Sequence, residues 1–126
     1  MLQYHQAGFQ IAGAEILAIS DMNETAASKA AQKYKVPHVF SDCSKMLNDL
    51  PELDGISIIT PNRTHHPLAV QALQAGKHVF CEKPPALNAN EVSQMKTAAE
   101  AAGKTLMFNF NNRARPESYA LRNYIE

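Results

Sequence analysis

Short apolar blocks recur along the chain, and the period inside each block predicts the element it forms. Ala14 to Ser20 (AEILAIS) gathers Ile16, Leu17 and Ile19 just ahead of Asp21 and a polar turn, which predicts a buried strand. From Asn23 the spacing turns helical: Ala27, Ala30, Ala31 and Tyr34 share a face, Asn23 can cap the start, and Pro37 forbids continuation. Val39 and Phe40 predict a brief extended piece, after which Cys43, Met46, Leu47 and Leu50 fall at i, i+3, i+4 and i+7 in a short helix. Gly55 to Thr60 (GISIIT) is a β-branched run stopped by Pro61 and Asn62, and Pro67 stands in the first turn of a helix that Gly76 ends. His78 to Cys81 is the next strand, closed by Pro84 and Pro85. Asn88 and Glu91 have capping-box spacing ahead of Val92, Met95, Ala99 and Ala102, with Gly103 at the stop. Leu106 to Phe110 is the last predicted strand, and a helix-like tail begins at Pro116. The pattern assigns no element ahead of Ala14.

Strands that alternate with helices about five times through short connections predict an α/β fold, a doubly wound parallel sheet of the Rossmann-like kind. Ligands of such sheets collect at the carboxyl ends of the strands. That rule selects Asp21, Thr60 to His65, Glu82 to Pro84, and Asn111 to Arg113 for scrutiny. Composition narrows the field: 45% apolar and 19% charged residues suit a globular domain rather than a disordered one. Twelve basic and twelve acidic side chains cancel without forming a basic stripe, which argues against nucleic acid as a partner. The apolar runs are far short of a bilayer span, and the first residues lack the order of a signal peptide, so the expectation is a soluble cytoplasmic protein with no membrane partner. Cys43 and Cys81 read as reduced thiols that fill space, and no cluster of ligands has metal-binding spacing.

Each candidate has a plain reading beside its chemical one. Asp21 ends a strand, where a carboxylate could accept both ribose hydroxyls of an adenosine; equally it could only start the turn. Asn62 and His65 could offer an amide and an imidazole to a polar ligand, or simply form a turn and begin a helix. His5, His38, His66 and His78 read as structural. Cys81-Glu-Lys-Pro-Pro85 is the most informative stretch, because it holds an acid and an amine side by side at a strand's carboxyl end with prolines behind them. Beside a cationic nicotinamide the ammonium form of Lys83 would be disfavoured by like charge, which suits proton transfer.

Taken in order, D (Asp21), TPNxxH (Thr60 to His65), ALxAGKHVFCEKP (Ala72 to Pro84) and FNxR (Phe110 to Arg113) with Pro116 resemble the N-terminal domain of the Gfo/Idh/MocA oxidoreductases over nearly the whole chain. The resemblance implies an NAD(P)-dependent dehydrogenase that moves a hydride between a sugar or polyol carbon and nicotinamide. It also implies that Asp21 meets the adenosine ribose, that Thr60, Pro61, Asn62 and His65 line the cofactor cleft, and that Glu82 faces the nicotinamide ribose. Lys83 would touch the nicotinamide side and the substrate hydroxyl as the catalytic residue, and Arg113 would lie near the mouth of the site. NAD is expected over NADP, since Asp21 repels a 2′-phosphate and neither Met22 nor Asn23 could neutralise it. Three positions depart from the family pattern: Asn109 replaces a frequent glycine, Ala114 a frequent aromatic and Arg115 a frequent aspartate, so the loop after the last strand is expected to be rebuilt.

The glycine-rich turn of a dinucleotide site lies roughly 20 residues or more before its acid, which here falls at or before Met1, and Gly8 and Gly13 have neither the position nor the spacing to replace it. The expectation is therefore a dinucleotide-binding domain over 1–115 without its first strand and glycine turn, with 116–126 leading toward a C-terminal substrate domain. Such a piece would be inactive by itself, a marginal fold and a poor NAD binder, and homo-oligomers are expected only with the C-terminal domain present. Two rival readings stand beside it. One is a non-catalytic nucleotide-binding or protein-interaction domain of the same fold, against which the intact Glu82-Lys83-Pro84 argues. The other is a receiver-type signalling domain, which would want clustered acids at the first strand's end.

Overall fold

The computed structural model describes residues 2–125. They form two compact units, split between Asp54 and Gly55.

The first unit runs α1 (Leu2–Ile11), β1 (Ala18–Ser20), α2 (Glu24–Tyr34), β2 (His38–Phe40) and α3 (Cys43–Asp49). α1 is the element that apolar spacing did not predict: it runs through Gly8, most of its side chains are exposed, and it buries His5, whose ring lies 6.1 Å from that of Phe9 one turn on. β1 and β2 pair in parallel, Ile19 opposite Val39. The strand expected from Ala14 is cut to three residues because β2 offers only three partners, with one further bond from His38 N–H to the Leu17 carbonyl. α2 starts as expected on Asn23, whose side chain accepts the Ala26 N–H. It ends before Pro37 can act: Lys35 adopts a left-handed conformation, φ 56°, and donates its N–H to Ala31. Ala27, Ala31, Val36, Met46, Leu47 and Leu50 are the buried apolar residues of this unit.

The second unit runs β3 (Gly55–Ile58), α4 (His65–Gln74), β4 (His78–Cys81), α5 (Ala89–Ala102), β5 (Leu106–Phe108) and α6 (Pro116–Ile125), with short 3-10 turns at Asn62–Thr64 and Asn111–Ala114. β3, β4 and β5 form a parallel sheet in that order, with Ile58, Cys81 and Phe108 on one rung. Gly55 is needed where β3 meets β4, since a Cβ there would stand 3.1 Å from the His78 carbonyl oxygen. α4 begins two residues ahead of Pro67; the first turn of a helix uses no N–H of its own, so a proline at its third position costs no hydrogen bond. α5 carries a variant of the expected capping box: Asn88 accepts the Glu91 N–H at 3.0 Å, while Glu91 reaches back to the Asn88 side-chain amide and to the backbone N–H of Leu87, one residue before the cap. β5 stops at Phe108 rather than Phe110, because the Phe110 N–H turns back onto the Phe108 carbonyl. Ile58, Ala69, Ala72, Leu73, Val79, Cys81, Met95 and Ala99 form one apolar core between the sheet and helices α4 and α5. α6 has no buried residue, and Tyr119, Leu121, Tyr124 and Ile125 are exposed along it.

All strands are parallel, and the pairings are those that a doubly wound order assigns to them. Among the described residues β1 has only β2 as a partner and β3 only β4. Among the described residues no helix is long and apolar enough to cross a membrane.

Candidate active site at the carboxyl ends of the strands

In the second unit three strands end together, because parallel strands on a common rung finish on the same edge of the sheet. Thr60 follows β3 by two residues, Glu82 follows β4 at once, and Asn109 follows β5 at once. Backbone bonds hold these ends beyond the last rung: Glu82 N–H donates to the Ile58 carbonyl at 2.9 Å, and Asn109 N–H to the Cys81 carbonyl at 2.8 Å.

Glu82 is the central group. Its side chain is only 5% exposed, and a buried carboxylate is tolerable only with hydrogen-bond donors around it. Its donors include the Lys83 N–H on Oε2 at 3.0 Å and the Asn109 amide on Oε1 at 2.9 Å. Lys83 itself is exposed and joined to Pro84 by a cis peptide bond. Burial, together with the Glu82 charge, pushes the Cys81 thiol up to about 12, so it stays a thiol, with Sγ 3.4 Å from the Glu82 carbonyl it donates to. Its expected part as an inert filler follows from that environment.

His65 is 1% exposed, and both ring nitrogens are engaged, Nδ1 with the Pro84 carbonyl and Nε2 with the Thr60 carbonyl, each at 2.8 Å. It staples the loop after β3 to the loop after β4. With both ring nitrogens engaged by carbonyls, neither is open to hydrogen-bond a ligand, and His65 joins the two loops that border the site. Thr60, Pro61 and Asn62 are exposed at the same end, with the Thr64 hydroxyl 2.8 Å from the Thr60 Oγ1 and 2.7 Å from the Pro61 carbonyl.

Arg113 sits in the turn after β5 with its guanidinium 5.8 Å from the centre of the Phe110 ring, a cation-π contact that parks the side chain beside that loop. Asp21 belongs to the first unit. It follows β1 at once, is exposed, and accepts the Asn23 N–H on Oδ1 at 2.8 Å. The structure thus gathers Thr60, Pro61, Asn62, His65, Glu82 and Lys83 at one sheet edge, and sets Asp21 at the corresponding end of the other sheet. Asn109 was legible in the sequence only as a departure from a glycine, with no sign that its side chain would reach Glu82, 27 residues away. Among the described residues no three potential ligands cluster to hold a metal.

A parallel α/β unit with an acid and an amine beyond its strand ends has the architecture of the doubly wound domains, which bind ligands on that edge. The comparisons with known proteins make the class specific. The profile of the Gfo/Idh/MocA oxidoreductase family, described as having an NAD-binding Rossmann fold, matches residues 2–110, and the chain belongs to that family. It is 34% identical over 111 residues to the D-glucoside 3-dehydrogenase of Escherichia coli K12, covering 88% of this chain and 31% of the relative. It is 31% identical over 111 residues to the myo-inositol 2-dehydrogenase of Thermotoga maritima, covering 88% and 33%. A solved levoglucosan dehydrogenase in complex with NADH and levoglucosan superposes with a TM-score of 0.80 at 31% identity, covering 89% of this chain and 30% of that one. The chain therefore spans about a third of the length of the curated relatives it matches.

Proposed function

We propose that these residues are the nucleotide-binding part of an enzyme that moves a hydride between a hydroxyl-bearing carbon of a sugar or polyol and C4 of a nicotinamide. The observation that carries this reading is the pair at the end of β4: a buried, hydrogen-bonded Glu82 carboxylate next to an exposed Lys83 amine. The donor set fits the cofactor. A fixed carboxylate presents acceptors to the hydroxyls of the nicotinamide ribose, and Asp21 presents another to the adenosine ribose. NAD, when bound, supplies the acceptor for the hydride. Lys83 takes the proton of the substrate hydroxyl as the carbon loses its hydride, so the substrate gives up two electrons and two hydrogens and becomes a ketone. In the reverse direction Lys83 returns that proton. Thr60, Pro61 and Asn62 line the cleft beside the cofactor, and Arg113 stands near its mouth. The sugar and cyclitol substrates in the names of the relatives support a polyhydroxylated substrate.

The full-length protein assayed for NADH formation against a panel of pyranoses, glycosides, anhydrosugars and cyclitols should oxidise at least one of them. Glu82→Gln should raise the dissociation constant for NAD. Failure across the whole panel, with NAD binding unaffected by Glu82→Gln, would overturn the assignment.

A further inference from the structure

Asn109 is the first residue beyond β5, and its backbone is pinned to β4 by the bond from its N–H to the Cys81 carbonyl. From this fixed base its side chain reaches the Glu82 carboxylate at 2.9 Å. The orientation of the amide follows from chemistry, since an ionised carboxylate only accepts and the NH2 group must face it. The last torsion of a glutamate is broad and has no sharp preference of its own. Here one oxygen is held from β5 by Asn109 and the other from the chain itself by the Lys83 N–H, so the plane of the carboxylate has a single setting. Bonds to a charged acceptor shielded from water are the stronger kind. A glycine at this position would provide the backbone bond to Cys81 and nothing to orient Glu82.

We propose that Asn109 is a positioning residue of this chain's cofactor site, setting the plane in which Glu82 meets the ribose hydroxyls of NAD. This rests on the reading that Glu82 meets that ribose. Asn109 does not touch the reacting atoms; it acts through Glu82, and its effect belongs to cofactor affinity rather than to the chemical step.

The test uses the full-length protein, calorimetric titration with NAD and steady-state kinetics, on Asn109→Ala, Glu82→Leu, Glu82→Gln and the double variant Asn109→Ala with Glu82→Leu. Asn109→Ala should weaken NAD binding roughly 3- to 10-fold, the scale of one hydrogen bond, and raise KM for NAD in proportion while kcat at saturating NAD changes less than about twofold. In the Glu82→Leu background the same substitution should have no further effect on NAD binding. If Glu82→Leu does not fold, judged by its melt without NAD, the cycle is run with Glu82→Gln, where the coupling should shrink rather than vanish. An Asn109→Ala protein that binds NAD normally while the Glu82 variants bind it poorly would overturn the proposal and leave the reading of Glu82 standing. Equal weakening by Asn109→Ala in both backgrounds would also overturn it, since Asn109 would then act on the fold and not on Glu82. Normal NAD binding by both Glu82 variants would remove the reading of Glu82 and the proposal with it.

Discussion

Asp21 and Glu82 both leave the carboxyl end of a parallel strand, yet their surroundings differ. Asp21 is exposed, and its recorded donor is the N–H of Asn23 two residues on. Glu82 is buried, with donors from its own strand end and from β5. The units that carry them differ in the same sense. β1 and β2 pair over three residues, whereas β3, β4 and β5 form a continuous sheet over a core in which Leu73 and Met95 are fully buried. A carboxylate in water acts through its charge, weakly and over a range that salt shortens, while a buried carboxylate held by donors acts through geometry. On the proposed reading, discrimination between cofactors would fall to Asp21 and placement of the reacting ring to Glu82.

The strongest way to break this comparison is to ask whether the two units suffice without further strands. β1 and β3 each have an edge without a strand partner among the described residues. Unpaired edges and uncovered apolar faces cost an amount comparable to the about 5–15 kcal/mol that stabilises a whole domain. Residues 1–126 expressed alone should therefore melt without a cooperative monomeric transition in calorimetry and bind NAD poorly. A monomer that melts sharply and binds NAD at micromolar concentration would show that the sheets need no further strand.

In the full-length protein Lys83→Ala should lower kcat by about 10²- to 10⁴-fold, the range for a positioned acid or base, with little change in the dissociation constant for NAD. Lys83→Arg should not restore the rate, because a guanidinium does not release its proton at useful pH. Retained kcat in Lys83→Ala would remove this residue from the chemistry. Next in size is the core: Leu73→Ala should cost about 2–5 kcal/mol in denaturant unfolding. Leu47→Ala, at a slightly exposed site of the first unit, should fall at the low end of that range. Equal losses would remove the contrast between the units.

Asp21→Ser should narrow the preference for NAD over NADP about fivefold, the effect of removing roughly 1 kcal/mol of like-charge repulsion in water. Titrating both cofactors checks it, and an unchanged ratio would take Asp21 out of the selection. The smallest effect sharpens the role of an exposed carboxylate within the first unit. Asp42 caps α3, and hydrogen bonds from the Lys45 N–H and from the hydroxyl and N–H of Ser44 hold its carboxyl below the usual carboxylate value of 3.8. A depressed carboxyl stabilises the fold above its unfolded pKa, and that contribution is lost as pH falls through the folded value, below 3.8. Asp42→Asn keeps a cap without the titration, so its acid unfolding profile should be flatter in that window.

Most of the fold was legible because periodicity and punctuation are local signals. Asn23, Asn88 with Glu91, Gly76 and Gly103 mark helix ends through their own backbone and side-chain chemistry, and each does so where expected. What failed had both local and non-local causes. α1 has little apolar spacing to detect, and Lys35 takes a left-handed conformation that nothing in its side chain announces. Strand ends were overestimated because a strand extends only as far as its partner, and the partner is set by the sheet.

By itself the sequence determined which elements form, that they alternate into a parallel α/β fold, and that Glu82 and Lys83 stand together after a strand. It determined the family as well, through a run of residues dense enough to be specific. Only the tertiary structure decided that His65 is a staple with both nitrogens occupied, that burial and the Glu82 charge raise the Cys81 pKa, and that Asn109 reaches Glu82. The physical reason is one of range. A cap, a turn or a helical stripe is made by residues within a few positions of each other, whereas burial, pKa and the partner of a buried carboxylate depend on which strands stop side by side.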